Sequence, residues 1–333
     1  LLADNHPDWV LGALGAQAAG GVAAGIYQNA SIEQVEYILR HSEAHLVAVD
    51  SDAQWQKVRA RLDHLPALRR VVFISGAAAP DHPLCQTLEA FLAAGASSES
   101  AALARAAAIQ GRDLASLIYT SGTTGTPKGV MLTHDNLLWS AINYLSAGLP
   151  IRASDRTVAV APMFHIGALG LQVLPLLYVG GTVVVLPSFD AVQTLAAMAN
   201  ERVTVQFLVP SMWSALMTVP DFEGYDLSAL ELAITGGAPC PLPVLEYFQG
   251  RGVPFQEGFG MTETAPSGTL LDADHVKDKA GSIGRPMYYL QTRIVDENDR
   301  EVPTGEVGEL VLRGPNVFVG YWGLPDATAE AFR

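Results

Sequence analysis

Short apolar runs alternate along the chain with longer stretches whose apolar residues recur every three or four positions. The runs at 22–27, 46–49, 71–74, 157–161, 182–186, 203–208, 230–234 and 254–256 read as strands. Helical patterns lie between many of them: 7–19, then a helix through Arg40 with Ser31 as N-cap and Glu33 and Gln34 near its start. Asp135 is placed to cap a further helix. Residues 76–112 are rich in Ala, Ser and Gly and predict a helix at 84–94 followed by a loose connection. Such alternation predicts parallel sheets with helices packed on them. From about residue 273 the pattern changes: strands at 290–295 and 308–312 flank a charged turn, 296–300, with no helix between, which reads as a small antiparallel barrel. The expected fold is α/β, with two α/β subdomains (1–148 and 149–272) of mainly parallel sheets and a barrel segment, 273–333.

Composition narrows this picture. At 333 residues the chain exceeds one ordinary core, and with 49% apolar and 16% charged residues it can fill more than one. The formal charge of −14 excludes wrapping a nucleic-acid backbone. Residues 10–27 are apolar except for Gln17, but mostly Ala and Gly; 166–186 are broken by Pro175 and by Gly180-Gly181. Neither stretch reads as a transmembrane segment. Two cysteines, Cys85 and Cys240, make no disulfide framework and suit a reducing, cytoplasmic setting. The chain starts mid-pattern, at Leu1-Leu2-Ala3, with no initiator Met or signal peptide, and both ends read as cut.

The most informative stretch is 117–130, Leu-Ile-Tyr-Thr-Ser-Gly-Thr-Thr-Gly-Thr-Pro-Lys-Gly-Val. An apolar β-run enters a loop in which Thr120, Ser121, Thr123 and Thr124 offer hydroxyls. Gly122 and Gly125 let backbone N–H groups approach an anion, and Lys128 adds a positive charge. It is not the ordinary P-loop, because Pro127 precedes the lysine and Gly129 stands where a hydroxyl should bind magnesium. Further along, Gly236-Gly237-Ala238 follows a strand with almost no side chain, so its backbone can lie against a flat ring. In Gly258-Phe259-Gly260-Met261-Thr262-Glu263, Phe259 offers a stacking face and Glu263 a hard oxygen ligand. Taken alone, Thr262-Glu263 reads as a helix start, and Cys240 as an inert buried thiol.

These strings, in this order, resemble the adenylate-forming superfamily of acyl-CoA synthetases, aryl-CoA ligases, luciferases and peptide-synthetase adenylation domains. The segment from Gly308-Glu309-Leu310 through Gly320-Tyr321-Trp322 resembles the approach to that family's hinge, and the likeness is weakest over 51–112. The resemblance implies ATP, Mg²⁺ and coenzyme A as cofactors. Thr120 to Gly125 and Lys128 would bind phosphate, Gly236 to Ala238 and Phe259 adenine; Thr262 would contact phosphate and Glu263 hold the metal. His165, in Pro162-Met163-Phe164-His165, would border the acyl pocket, and the small residues 167–170 leave room for an alkyl chain. No Asp lies near them before Asp190, against an amino-acid substrate. A fatty acid is the expected substrate and coenzyme A the expected acceptor, with a carrier protein's phosphopantetheine or an incomplete nucleotide-binding remnant as alternatives. The family's ribose-binding Asp motif and C-terminal lysine are not found before Arg333, so the expectation is a large N-terminal domain.

Overall fold

The computed structural model describes residues 1–120, 126–146 and 151–332. They form two compact units: Leu1–His134 with Pro162–His165 and Val319–Phe332, and Asp135–Ala161 with Ile166–Phe318.

The first unit holds two small sheets. One is parallel, with β2 (Leu46–Val49) beside β3 (Arg70–Phe73) and β3 beside β4 (Cys85–Thr87). In the other, β5 (Leu114–Thr120) lies between β1 (Ala23–Gly25), which runs parallel to it, and β6 (Lys128–Thr133), which runs antiparallel. Leu2 bridges to both Ile26 and Val49, linking the two sheets. The helix Ile32–His41 starts on a capping box, in which Ser31 Oγ accepts from Gln34 N–H and Gln34 Oε1 accepts from Ser31 N–H. Its Val35, Ile38 and Leu39 are buried with Trp55, Val58, Val71 and Phe73. Each such aliphatic side chain stabilises the unit by about 1.5–3 kcal/mol.

The 76–112 region departs from expectation. Residues 85–87 are a strand, the helix begins at Leu88, and the connection is a second helix, Glu99–Ala108. That helix buries no residue, so its alanines and local propensity account for it.

The second unit is built on β9 (Val205–Phe207), β10 (Leu232–Gly236) and β11 (Phe255–Phe259), all parallel. β12 (Thr269–Leu271) and β13 (Arg285–Pro286) add antiparallel to the β11 edge. A parallel pair, β7 (Arg156–Ala159) and β8 (Thr182–Val185), reaches β9 through the buried Gln206. That side chain accepts from Val158 N–H at 3.1 Å and donates to Val158 O at 2.9 Å, replacing a ladder rung. Trp213, Phe248 and Phe255 centre the core, with ring centroids 4.8–5.7 Å apart.

No closed barrel forms among the described residues, which corrects the reading of 273–333. β14 (Gln291–Val295) and β15 (Glu309–Arg313) make a two-stranded antiparallel ribbon turned by Asp296, whose carboxylate accepts from Asn298 and Arg300 N–H. The strands that might have closed it pair elsewhere: Arg285 and Pro286 with β12, and the 319–321 backbone with β6. Residues 166–179 form one continuous helical stretch with a π-helical turn, Leu169–Val173. Pro175 sits near the start of its last part and Gly180 ends it in the left-handed region. Asp135 lies in the first turn of the helix His134–Ser146.

Candidate functional site

Within the first unit, the hairpin between β5 and β6 sets the ends of the hydroxyl-glycine loop. Thr120 is the register partner of Lys128, and Tyr119 of Gly129. Ser121, Gly122, Thr123, Thr124 and Gly125 lie outside the described residues. The loop's exit is held from the helix Ile32–His41: Tyr37 Oη donates to Pro127 O at 2.9 Å. Tyr119 Oη meets His41 Nδ1 at 2.9 Å. Burial raises the tyrosine's pKa and lowers the histidine's, so a neutral phenol meets a neutral imidazole. An added Cβ on Gly129 would press on the Tyr119 ring at 3.3 Å.

His165 lies in the same unit. Its N–H donates to Pro162 O at 3.1 Å, and Met163 N–H donates to the buried Asn5 side chain. Phe164 packs on Tyr27, ring centroids 5.0 Å apart, and its backbone approaches Gly25 so closely that a Cβ there would sit 2.7 Å from Phe164 Cα. The His165 residue is exposed, yet desolvation of its ring lowers its pKa, which favours the neutral imidazole over the imidazolium.

The second unit brings the other two strings side by side. Gly236 and Gly258 are partners in the last rung between β10 and β11, and a Cβ on Gly236 would stand 2.7 Å from Gly258 O. Gly237 follows with φ +83°, so the chain leaves the sheet in a left-handed turn and exposes Gly237 and Ala238. Phe259 ends β11 half-buried. Beyond it the chain folds back: a Cβ on Gly260 would overlap the Pro266 carbonyl, and one on Gly170 would meet Pro266 Cδ at 2.5 Å. The packing against Gly170 takes that residue out of the small stretch expected to leave room for an alkyl chain. Thr262 and Glu263 lie in a single 3₁₀ turn, Thr262–Thr264. Thr262 is buried, Glu263 is half-buried, and Glu263 O accepts from Phe318 N–H. Among the described residues there is no cluster of three or more His, Cys, Asp or Glu that could enclose a metal. Glu263 supplies the carboxylate of this turn, the hard oxygen type that Mg²⁺ takes.

Two further features of this unit escaped the sequence reading. The first is Glu257, which is buried on β11. Its Oε1 accepts from Cys240 N–H at 2.8 Å, tying the 236–240 loop to the strand, while Oε2 is buried without a hydrogen-bond partner among the described residues. Burial raises its pKa. The Cys240 thiol is pushed up to about 12 by burial and by Glu257, so it is no nucleophile. The second is a polar stripe on the helix His134–Ser146. Asn136 donates to Pro315 O and Val317 O, Ser140 bonds Ser267, and Asn143 donates to Asn316 Oδ1. Fully buried Asn316 donates to Thr264 O and Ser267 O, both at 2.7 Å, bracing the Thr262–Thr264 turn from behind. The spacing of Asn136, Ser140 and Asn143 along one helical face was the available signal.

Comparison with known proteins gives a consistent picture. The family described as AMP-binding enzyme matches residues 1–322. Feruloyl-CoA synthases from Amycolatopsis sp and Streptomyces sp are 45% identical over 221 residues, which is 66% of this chain and 45% of each relative. An indoleacetate–CoA ligase of Aromatoleum aromaticum is 37% identical over 65% of the chain and 42% of its own length. The chain thus spans less than half the length of these curated relatives. Among solved structures, the N-terminal domain of FACL13 from Mycobacterium tuberculosis superposes with a TM-score of 0.83 at 28% identity, covering 100% of this chain and 79% of that one.

Proposed function

Since the chain belongs to the AMP-binding enzyme family, we propose that it activates a carboxylic acid with ATP and passes the acyl group to coenzyme A. A carboxylate oxygen attacks the α-phosphorus, the bond to the bridging oxygen breaks, and pyrophosphate leaves. The thiol sulfur then attacks the acyl carbonyl and expels AMP, losing its proton to solvent. Lys128, fixed opposite Thr120 at the end of the hairpin, would meet the negative charge that builds on the departing phosphates. The 236–238 backbone and the Phe259 face would take the adenine, and Thr262 a phosphate. Mg²⁺ held by Glu263 would neutralise phosphate charge. Neutral His165 would donate a ring N–H to the substrate carboxylate.

The observation that carries this reading is the match of the family to residues 1–322 together with the hairpin that seats Lys128. For the acid, the feruloyl-CoA synthases at 45% identity favour an aromatic carboxylate over the fatty acid the small residues suggested. A fatty acid remains the second reading, supported by a fatty acyl CoA synthetase of Mycobacterium tuberculosis, similar over the whole chain at 26% identity. Among the described residues no helix is long and apolar enough to cross a membrane, and neither cysteine is in a disulfide. A cytoplasmic enzyme fits both.

The test is pyrophosphate release by the full-length protein against hydroxycinnamic, indole-acetic, succinylbenzoic and fatty acids, with acyl transfer followed to coenzyme A and to a phosphopantetheinylated carrier. Ferulate-like acids should turn over fastest and coenzyme A should be the acceptor. Faster turnover of long alkyl acids would favour the second reading, and no acid-dependent pyrophosphate release would reject acid activation.

A further inference from the structure

Lys128 carries its charge without a carboxylate: among the described residues it joins no ion pair. Its Nζ instead lies over the Tyr321 ring, 5.1 Å from the centroid. The residues that place this ring are well defined, and all lie in the first unit. Met131 N–H donates to Gly320 O, Val319 N–H to Met131 O and Trp322 N–H to Gly129 O, so residues 319–322 run along the free edge of β6. Tyr321 itself bridges Val130 across that edge. Gly320 has φ +140°, and a Cβ there would meet Thr328 at 2.8 Å and Met131 Cε at 3.1 Å, so only glycine lets the segment lie this close. Tyr321 N–H donates to Thr328 Oγ1, and Trp322 Nε1 donates to His41 O at 3.0 Å, anchoring the segment on both sides of the ring.

We propose that Tyr321 is a positioning residue for Lys128, its ring face seating the ammonium so that the side chain waits in one place with its charge intact. This rests on the reading of Lys128 as a phosphate ligand. A carboxylate in the same place would bind the ammonium more tightly, but would also neutralise it and compete with phosphate. An aromatic face attracts the cation through its quadrupole and leaves the remaining N–H donors free to point at an oxygen anion. It also restricts a long side chain that otherwise loses rotamer freedom on binding.

The experiment uses the full-length protein with Tyr321→Leu, Tyr321→Phe and Lys128→Ala, singly and with Tyr321→Leu and Lys128→Ala combined. Tyr321→Leu should lower kcat/KM for ATP about two- to fivefold, the size expected of a partly exposed cation–ring contact. The loss should appear in kcat for pyrophosphate release, as for Lys128→Ala, and leave the KM for the acid unchanged. Tyr321→Phe keeps the ring face and should retain more of the activity than Tyr321→Leu. In the Lys128→Ala background, Tyr321→Leu should cost nothing further, because the interaction is already gone. An equal loss in both backgrounds, or none in wild type, overturns the proposal. A second readout is independent of activity. Lys57, Lys128, Lys277 and Lys279 are the lysines of this chain. With ¹³C-labelled lysine, the ε-methylene signal that disappears in Lys128→Arg should be ring-shifted upfield in wild type and Tyr321→Phe, and unshifted in Tyr321→Leu. No upfield shift in wild type overturns the seating. A shifted signal with wild-type pyrophosphate release by Lys128→Ala would instead reject the phosphate role of Lys128.

Discussion

Replacing Asn316 should show how much the turn at Thr262–Thr264 depends on what lies behind it. Asn316 is fully buried; its amide donates to Thr264 O and Ser267 O, and its oxygen accepts from Asn143 Nδ2 at 3.2 Å. Asn316→Ala strands two buried carbonyls and one amide donor. Each unsatisfied group costs about 1–3 kcal/mol, and partial relaxation brings the expected total to roughly 3–5 kcal/mol. With a urea slope of about 2–3 kcal/mol/M, the unfolding midpoint should fall by roughly 1–2.5 M with the slope unchanged. Asn316→Asp keeps the shape but loses both donors and sets a negative charge against two carbonyl oxygens, so it should be at least as damaging. The measurement is urea unfolding followed by tryptophan fluorescence, for which Trp213 and Trp139 are reporters in the same unit. A shift below 0.3 M for Asn316→Ala, equivalent to under about 1 kcal/mol, or an Asp variant as stable as wild type, would refute the bracing.

Lys128→Ala should slow pyrophosphate release by ~10²–10³, the usual loss for one preorganised donor to developing charge; an unchanged rate removes it from the phosphate site. Glu263→Gln should raise the Mg²⁺ concentration needed for half-maximal activity while leaving the urea midpoint in place, and an identical magnesium titration would argue against a metal ligand. Glu257→Gln addresses pH. Because the folded-state pKa of Glu257 is raised, the native state binds its proton more tightly than the unfolded chain does, and stability falls as pH rises from its ordinary value near 4.5 through the raised one. Glutamine keeps the acceptor for Cys240 N–H and never ionises. The variant should match wild type below pH 4.5 and exceed it in urea midpoint at neutral pH, and a lower midpoint at pH 7.5 would contradict the assignment.

The sequence made the strand-and-helix order and the ends of the hydroxyl-glycine hairpin legible because both depend on local pattern. An apolar run at 117–119 buries one strand, and Pro127 and Gly129 punctuate the return. It did not disclose which strands pair. Residues 285–286 and 319–322 look alike as short connections near the ribbon, yet one joins β12 and the other β6. That choice is made by partners far along the chain, beyond any periodicity. The bracing network was hidden for the same reason: Asn136 and Val317 are 181 residues apart. Glu257 was hidden differently. A glutamate beside Gln256 at the end of a short run reads as a surface position, and the hydrogen bond from Cys240 N–H goes with its burial.

The glycines deserve a different weight from the charged residues. Gly236 must be small because Gly258 O lies against it, Gly260 because the Pro266 carbonyl does, and Gly268 because Phe259 O does. These are requirements of backbone packing within one unit. A relative that had lost nucleotide chemistry but kept the fold would retain them, since even one added methyl group forces the chains apart. The side chains of Lys128, Glu263 and His165 have no such obligation. Lys128 in particular places an unneutralised charge on an aromatic ring, a contact worth about 0.5–1 kcal/mol when exposed, where a neutral residue would fit the hairpin as well. The glycine strings therefore point to the architecture, and Lys128 beside them is the feature on which the proposed anion site rests.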